Sequence, residues 1–326
     1  MPKTRKVREK KPKPPQLRFG IAEWYGKPFA ALTVDERNRL AKIQGLPKEQ
    51  KPAVVCPFQS TLERPATCNK PGGACSFRLY ERSRQTGEVS FVAGDAGQLR
   101  TFCPNRFEEG GAIYRWVAET VLRCPYPVVL KEIGILEPPP TEARAKKSGG
   151  NVGRIDKVLV APGVEPLSWC ALEVQAVYFS GKGMRDEFSA ILKNPDDMTP
   201  FPVYTRRPDY RSSAPKRLMP QLQIKVPSLR RWGKKMAVVV DRSFFQAMGK
   251  MRTVPHIANC DVAWFVLKFE EAEGAYRLVP DTVHYTTLED SVEGLTAGVP
   301  VSLEIFEKRI MAKLERLPGP PKIATD

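Results

Sequence analysis

The chain has 326 residues, with 52 Lys and Arg against 36 Asp and Glu, a formal net charge of +16, seven cysteines and two histidines. At roughly 150 residues per domain this length allows about two units, and a composition 42% apolar is enough to bury a core. No apolar run approaches the roughly 18 residues that span a bilayer, and the N-terminus MPKTRKVREKKPKPP lacks the apolar segment of a signal peptide. A soluble, cytoplasmic protein without a membrane partner is expected. In a reducing compartment the cysteines are metal ligands, core thiols or a nucleophile rather than disulfide partners. His256 and His284 lie far apart and share no motif, which disfavours His-rich metal sites and chemistry built on several histidines.

In chain order, residues 1–18 carry eight basic side chains and one acid among prolines, and are expected to form a disordered basic arm. Thr33 and Glu36 fit a capping box ahead of the helix ERNRLAKIQGL, which Gly45 and Pro47 end. Residues 51–106 are rich in turn formers and hold four of the seven cysteines, as in a small loop-built module held by something other than apolar burial. Residues 107–123 place Ile113, Trp116, Val117 and Val121 on one helical face. EPPPTEARAKKSGGN (137–151) reads as a polar connection. RIDKVLVA and WCALEVQAVYF then read as strands joined by the turn PGVEPLS. Helical periodicity returns at 184–193, buried strands are expected at 236–241 and 263–270, and a last helix from about Ser302 aligns Leu303, Phe306, Ile310, Leu314 and Leu317. The fold class is α/β or α+β, a mixed sheet flanked by helices. Its expected division is an arm (1–18), an N-terminal segment with the cysteine module (19–110) and a larger domain (111–326).

Cys56, Cys68, Cys75 and Cys103 follow a C-x11-C-x6-C-x27-C spacing, with Gly72, Gly73 and Pro104 supplying turns. Four thiolates in a core-poor segment suit a closed, tetrahedral structural metal site, and the donor set accepts zinc or iron alike. Cys170 alternates with Leu172 and Val174 on an apolar strand and is a core residue; Cys124 and Cys260 need no function either.

Asp156 stands at the start of one strand, and Glu173 and Gln175 lie two apart on the next, on the face opposite Cys170, Leu172 and Val174. A hairpin pairing Asp156 with Glu173 would give two carboxylates for a hard cation such as magnesium, with Gln175 beside an attacking water or scissile phosphate. Alone, this pattern also fits an ordinary polar face. However, WCALEVQAVYF is apolar enough to be buried on both faces, where a carboxylate costs several kcal/mol unless paired or metal-bound.

The segment 205–235 holds ten basic residues against Asp209. Phosphate backbones are its natural partner, with arginine able to read guanine. Arg206, Arg207, Arg211, Arg230 and Arg231 are the candidate DNA contacts on charge grounds, as phosphate or base ligands.

GRID (153–156) followed by LEVQAVYFSG (172–181), after a four-cysteine module, resembles the NotI-type restriction endonucleases. These are a branch of the PD-(D/E)xK nucleases with an iron-binding four-cysteine domain, and the resemblance runs from about residue 50 into the 270s. It implies a PD-(D/E)xK core in which Asp156 and Glu173 bind magnesium and Gln175 stands where Lys is usual. Glu132 would be an additional acid contributed by a core helix, the alternative being an exposed surface charge. Cys56, Cys68, Cys75 and Cys103 would hold structural iron rather than zinc. The implied activity is type II restriction of GC-rich palindromic double-stranded DNA by a homodimer, with a separate methyltransferase. A repair or recombination nuclease of the same superfamily and a non-catalytic DNA-binding metalloprotein are the rival expectations.

Overall fold

The structure is a computed structural model that describes residues 14–60, 64–136, 153–272, 274–296, 298 and 301–316. The chain enters through β1 (Gln16–Trp24) and the short β2 (Lys27–Pro28), and continues into α1 (Val34–Gly45). That helix starts as expected: the Thr33 hydroxyl accepts from the Glu36 N–H at 3.2 Å and the Glu36 carboxylate accepts from the Thr33 N–H at 3.0 Å. Strands β3 (Ala74–Arg82), β4 (Val89–Phe91) and β5 (Arg100–Thr101) complete an antiparallel sheet in the order β2-β1-β3-β4, with β5 also on β3. Helix α2 (Ala112–Leu122) leads to β6 (Val128–Gly134) and to the expected hairpin of β7 (Arg154–Ala161) and β8 (Ser168–Val174). A small ribbon of β9 (Phe179–Ser180) and β10 (Arg207–Pro208) flanks α3 (Arg185–Lys193).

Next come α4 (Tyr210–Ser213), a π-helical turn over Ala214–Leu218, and α5 (Met219–Arg231). The chain then runs through β11 (Met236–Asp241), α6 (Arg242–Ala247), β12 (Val262–Ala272), β13 (Ala275–Thr286), α7 (Leu288–Thr296) and α8 (Leu303–Leu314). The six-stranded sheet has the order β13-β12-β11-β8-β7-β6, parallel among β8, β11 and β12 and antiparallel at both sides.

Its central strands are covered on both faces. Cys170, Leu172, Ala237, Val239 and Phe265 pack with Ile113 and Val117 of α2. On the opposite face Ala171, Val238 and Trp264 share a core with Leu222, Val226 and Leu229 of α5. The period of two along β8 thus sorts its side chains as the sequence implies.

Three boundaries differ from expectation. Residues 16–18 belong to β1, where the Arg18 guanidinium donates to the carbonyls of Pro202 and Val203 at 2.7 and 2.6 Å, so the expected arm ends earlier; residues 1–13 lie outside the described residues. Residue 110 is no packing boundary, because Trp24, Phe29, Leu40 and Phe77 share one core with Phe188, Leu222 and Val238. The Trp24 and Phe188 rings stack 5.4 Å apart, joining the first sheet to the helical layer. The turn-rich stretch 51–106 also contains the nine-residue strand β3, whose alternation is masked by turn residues before and after it. Helix α8 forms with Ser302 as its cap, but none of its residues is buried. The polar connection at 137–151, and Leu317, lie outside the described residues.

Candidate active site and thiol cluster

Strand register builds the acidic site. On β7 and β8, Lys157 pairs with Leu172 and Val158 with Ala171, so the next step sets Asp156 opposite Glu173. The Asp156 N–H donates to Glu173 Oε1 at 3.4 Å. On the other side Lys131 pairs with Lys157 and Ile133 with Ile155, which sets Glu132 opposite Asp156. Three acidic residues therefore fall at facing register positions on β6, β7 and β8, and of the other two carboxylates only Asp156 bears on the charge of Glu173. Glu132 reaches its position from an edge strand and not from a helix, which corrects the expected element. It adopts a left-handed φ of 56°, and its exposed carboxylate pairs with Arg154 at 3.0 Å.

Burial separates the two central acids. Asp156 is exposed, whereas Glu173 is only 5% exposed. The Glu173 carboxyl is pushed up to about 7 by burial first and by the Asp156 charge second, against the opposing pull of Lys225. Lys225, fully buried on α5, donates from Nζ to Glu173 Oε1 at 2.5 Å. In the sequence this lysine is one more cation of the basic stretch 205–235. Its signal was the helical stripe Leu222, Val226 and Leu229, into which Lys225 falls. Gln175 prolongs β8, its N–H donating to the Val239 carbonyl at 2.9 Å, but its side-chain amide turns to the Ala176 carbonyl at 2.6 Å.

The four-cysteine region is assembled by backbone pairing. An isolated bridge joins Val55 to Thr67, with the Cys56 N–H on the Ala66 carbonyl and the Cys68 N–H on the Val54 carbonyl, both at 2.7 Å. Cys75 is the second residue of β3, and its carbonyl accepts the Cys103 N–H at 3.0 Å. Cys56, Cys75 and Cys103 are buried and Cys68 half-buried. Burial pushes the thiols of Cys68, Cys75 and Cys103 up, and each also feels charge on other members of the set. Gly73 at φ 69° makes the turn before Cys75, where a Cβ would lie 2.3 Å from the Tyr25 ring. Among the described residues no three or more Cys, His, Asp or Glu side chains are drawn together tightly enough to count as a metal cage. Cys170 and Cys260 sit in the core behind the main sheet, away from this region.

The basic candidates divide. Arg206 is buried and forked onto Glu187, with Nη2 also donating to the Gly183 carbonyl at 3.0 Å, which corrects its reading as a DNA contact. Arg230 is held by Asp261 at 2.6 Å and Glu289 at 3.0 Å. Arg207, Arg211 and Arg231 are exposed. Beyond Gln175, the exposed Tyr178 ring carries the Arg217 guanidinium 4.6 Å from its centroid. Tyr178 borders an open cleft of about 650 Å³ together with Lys51, Gly72, Phe102, Lys182 and Arg185.

A glutamate carboxyl free in water titrates at about 4.5, whereas burial brings that of Glu173 to about 7 in the fold. Between these values the native protein keeps a proton that the unfolded chain has released, so stability falls as pH rises through the window, by on the order of 3 kcal/mol in all. Urea unfolding without divalent cations at roughly pH 5 and pH 8 should resolve this loss. Glu173→Gln should flatten it, and an unchanged slope in the variant would contradict the assignment.

No helix among the described residues is long and apolar enough to cross a membrane. No curated protein matches the chain. A family model described as restriction endonuclease NotI matches residues 38–278, a span containing all three acids, Lys225 and the four clustered cysteines. The chain belongs to the NotI restriction endonuclease family.

Proposed function

We propose that this protein is a type II restriction endonuclease that hydrolyses both strands of a GC-rich palindromic DNA site, with magnesium, as a homodimer. Family membership supports a nuclease acting on double-stranded DNA. The observation that carries the chemistry is the juxtaposition of Asp156 and Glu173, one step beyond the last paired residues of β7 and β8, in a sheet covered on both faces.

Oxygen donors from two adjacent carboxylates suit a hard, small cation. Magnesium, when bound, would lower the pKa of the attacking water and offset charge developing on the phosphate. Asp156 presents its carboxylate to solvent and incoming DNA, while Glu173 offers a carboxylate fixed by its neighbours. Gln175, two residues along the same strand face, orients the water once its amide leaves the Ala176 carbonyl. Glu132 adds a third acid from the edge strand. Arg207, Arg211 and Arg231, exposed beyond this sheet, contact phosphates and position the duplex. Two-fold DNA symmetry requires two such sites, one per strand, hence a homodimer. An enzyme that cuts a short site inside a cell needs a separate methyltransferase to protect the host's own copies.

Cys56, Cys68, Cys75 and Cys103 hold a structural metal in this reading. Their sulfur-only donors fit iron or zinc, and the family resemblance favours iron. Such a centre would tie the Cys56–Cys68 loop to β3 and to the segment leading into α2.

Incubation of unmethylated phage DNA with the purified protein and magnesium should give discrete fragments, and Glu173→Ala should abolish them while leaving DNA binding in place. Nicking or nonspecific degradation would favour a repair nuclease. Shifted but intact DNA with the unaltered protein would favour a binding protein without catalysis. Metal analysis of protein purified without chelator should find about one iron per chain. Four cysteines titrating as free thiols in the native protein would refute the metal centre.

A further inference from the structure

We propose that Lys225 is a positioning residue that supplies, from α5, the cation that the Glu-x-Gln strand lacks beside Glu173. The inference rests on the nuclease reading and concerns how its buried carboxylate is held.

Four observations converge. The Lys225 side chain is 1% exposed and ends on a carboxylate 6% exposed, in a helical stripe whose other members, Leu222, Val226 and Leu229, are apolar. A lysine there is costly unless its charge is matched, and Glu173 matches it. The two donors on Glu173, Lys225 Nζ and the Asp156 N–H, both fall on Oε1; among the described residues Oε2 carries no donor. One carboxylate oxygen is thus fixed and the other left for a cation. Gln175, at the strand position from which a charged side chain could serve Glu173, is neutral and bonded to its own neighbour's carbonyl. The helix is also locally irregular: a π-helical turn over Ala214–Leu218 precedes α5, and Pro227 follows Lys225 by two residues. Such π turns frequently occur at functional sites because they shift the phase of the residues beyond them.

A lysine that merely glued α5 to β8 would satisfy the same burial, so the test relocates the charge. Lys225→Met is compared with the double variant Lys225→Met/Gln175→Lys, which returns an ammonium to the same face of β8 by another route. Two readouts are taken: Mn2+ affinity of the protein–DNA complex, from the electron paramagnetic resonance of free Mn2+, and the single-turnover cleavage rate with magnesium.

Lys225→Met should bind Mn2+ about tenfold more weakly and cleave about a hundredfold more slowly, the range for losing a group that orients a metal-binding side chain. The double variant should recover most of both losses. If Lys225→Met does not fold, recovery of folding, Mn2+ binding and cleavage together in the double variant still supports the proposal. Wild-type Mn2+ affinity and cleavage in Lys225→Met, or a double variant no better than the single, would overturn it. Absence of both Mn2+ binding and cleavage in the unaltered protein would instead overturn the nuclease reading, and this proposal with it.

Discussion

A carboxylate buried in the middle of a sheet that helices cover on both sides is the constraint from which the rest of the site follows. Glu173 has Cys170 and Leu172 of its own strand facing one core and Ala171 facing the other, so water cannot solvate its charge. A buried carboxylate in such surroundings must stay protonated, pair, or hold a metal. The fold provides for the second through Lys225 and offers the third through Asp156, set opposite by the register of the β7–β8 hairpin. The solvent-facing position of Asp156 then makes this site open to substrate on one side and closed on the other.

The N-terminal sheet and the cysteine region are part of this scaffold rather than an appendage. Arg106, three residues after Cys103, is fully buried and donates to both oxygens of Glu23 on β1 at 2.9 and 3.0 Å. The same guanidinium donates to the Tyr276 carbonyl on β13 at 2.6 Å and lies 4.5 Å from the centroid of the Phe58 ring. One side chain thereby ties the thiol region, the first sheet and the last strand of the second sheet. Burial raises the Glu23 carboxyl against the pull of Arg106, so the pair holds only as a fully satisfied network. The Thr101 N–H adds a second link, donating to Asp241 at the end of β11 at 2.6 Å.

Features carried by local pattern were legible in the sequence. The α1 capping box, the face of α2, the β7–β8 hairpin and the alternation along β8 all depend on spacings of two to four residues. Asp156 and Glu173 could be paired because a hairpin makes their neighbourhood local. Lys225 could not be assigned in the same way, since its partner lies 52 residues away and its helix reads as one more basic segment. Arg206 is hidden for the same reason: charge alone does not reveal that Glu187, 19 residues earlier, already holds it. Glu132 was assigned to the wrong element because β6 is an edge strand with little burial, which leaves no clear period. Strands β1 and β3 escaped notice because their polar ends and flanking turns hide a short apolar centre.

The central claim is that Asp156 and Glu173 form one cation site on the paired strands. A crystal of the protein with uncleaved DNA, soaked in manganese, tests it through the anomalous signal of the ion. The account predicts a manganese peak shared by the two carboxylates, next to a phosphate of the bound strand. Manganese bound elsewhere, with Glu173 still occupied only by Lys225 and the Asp156 N–H, would contradict it.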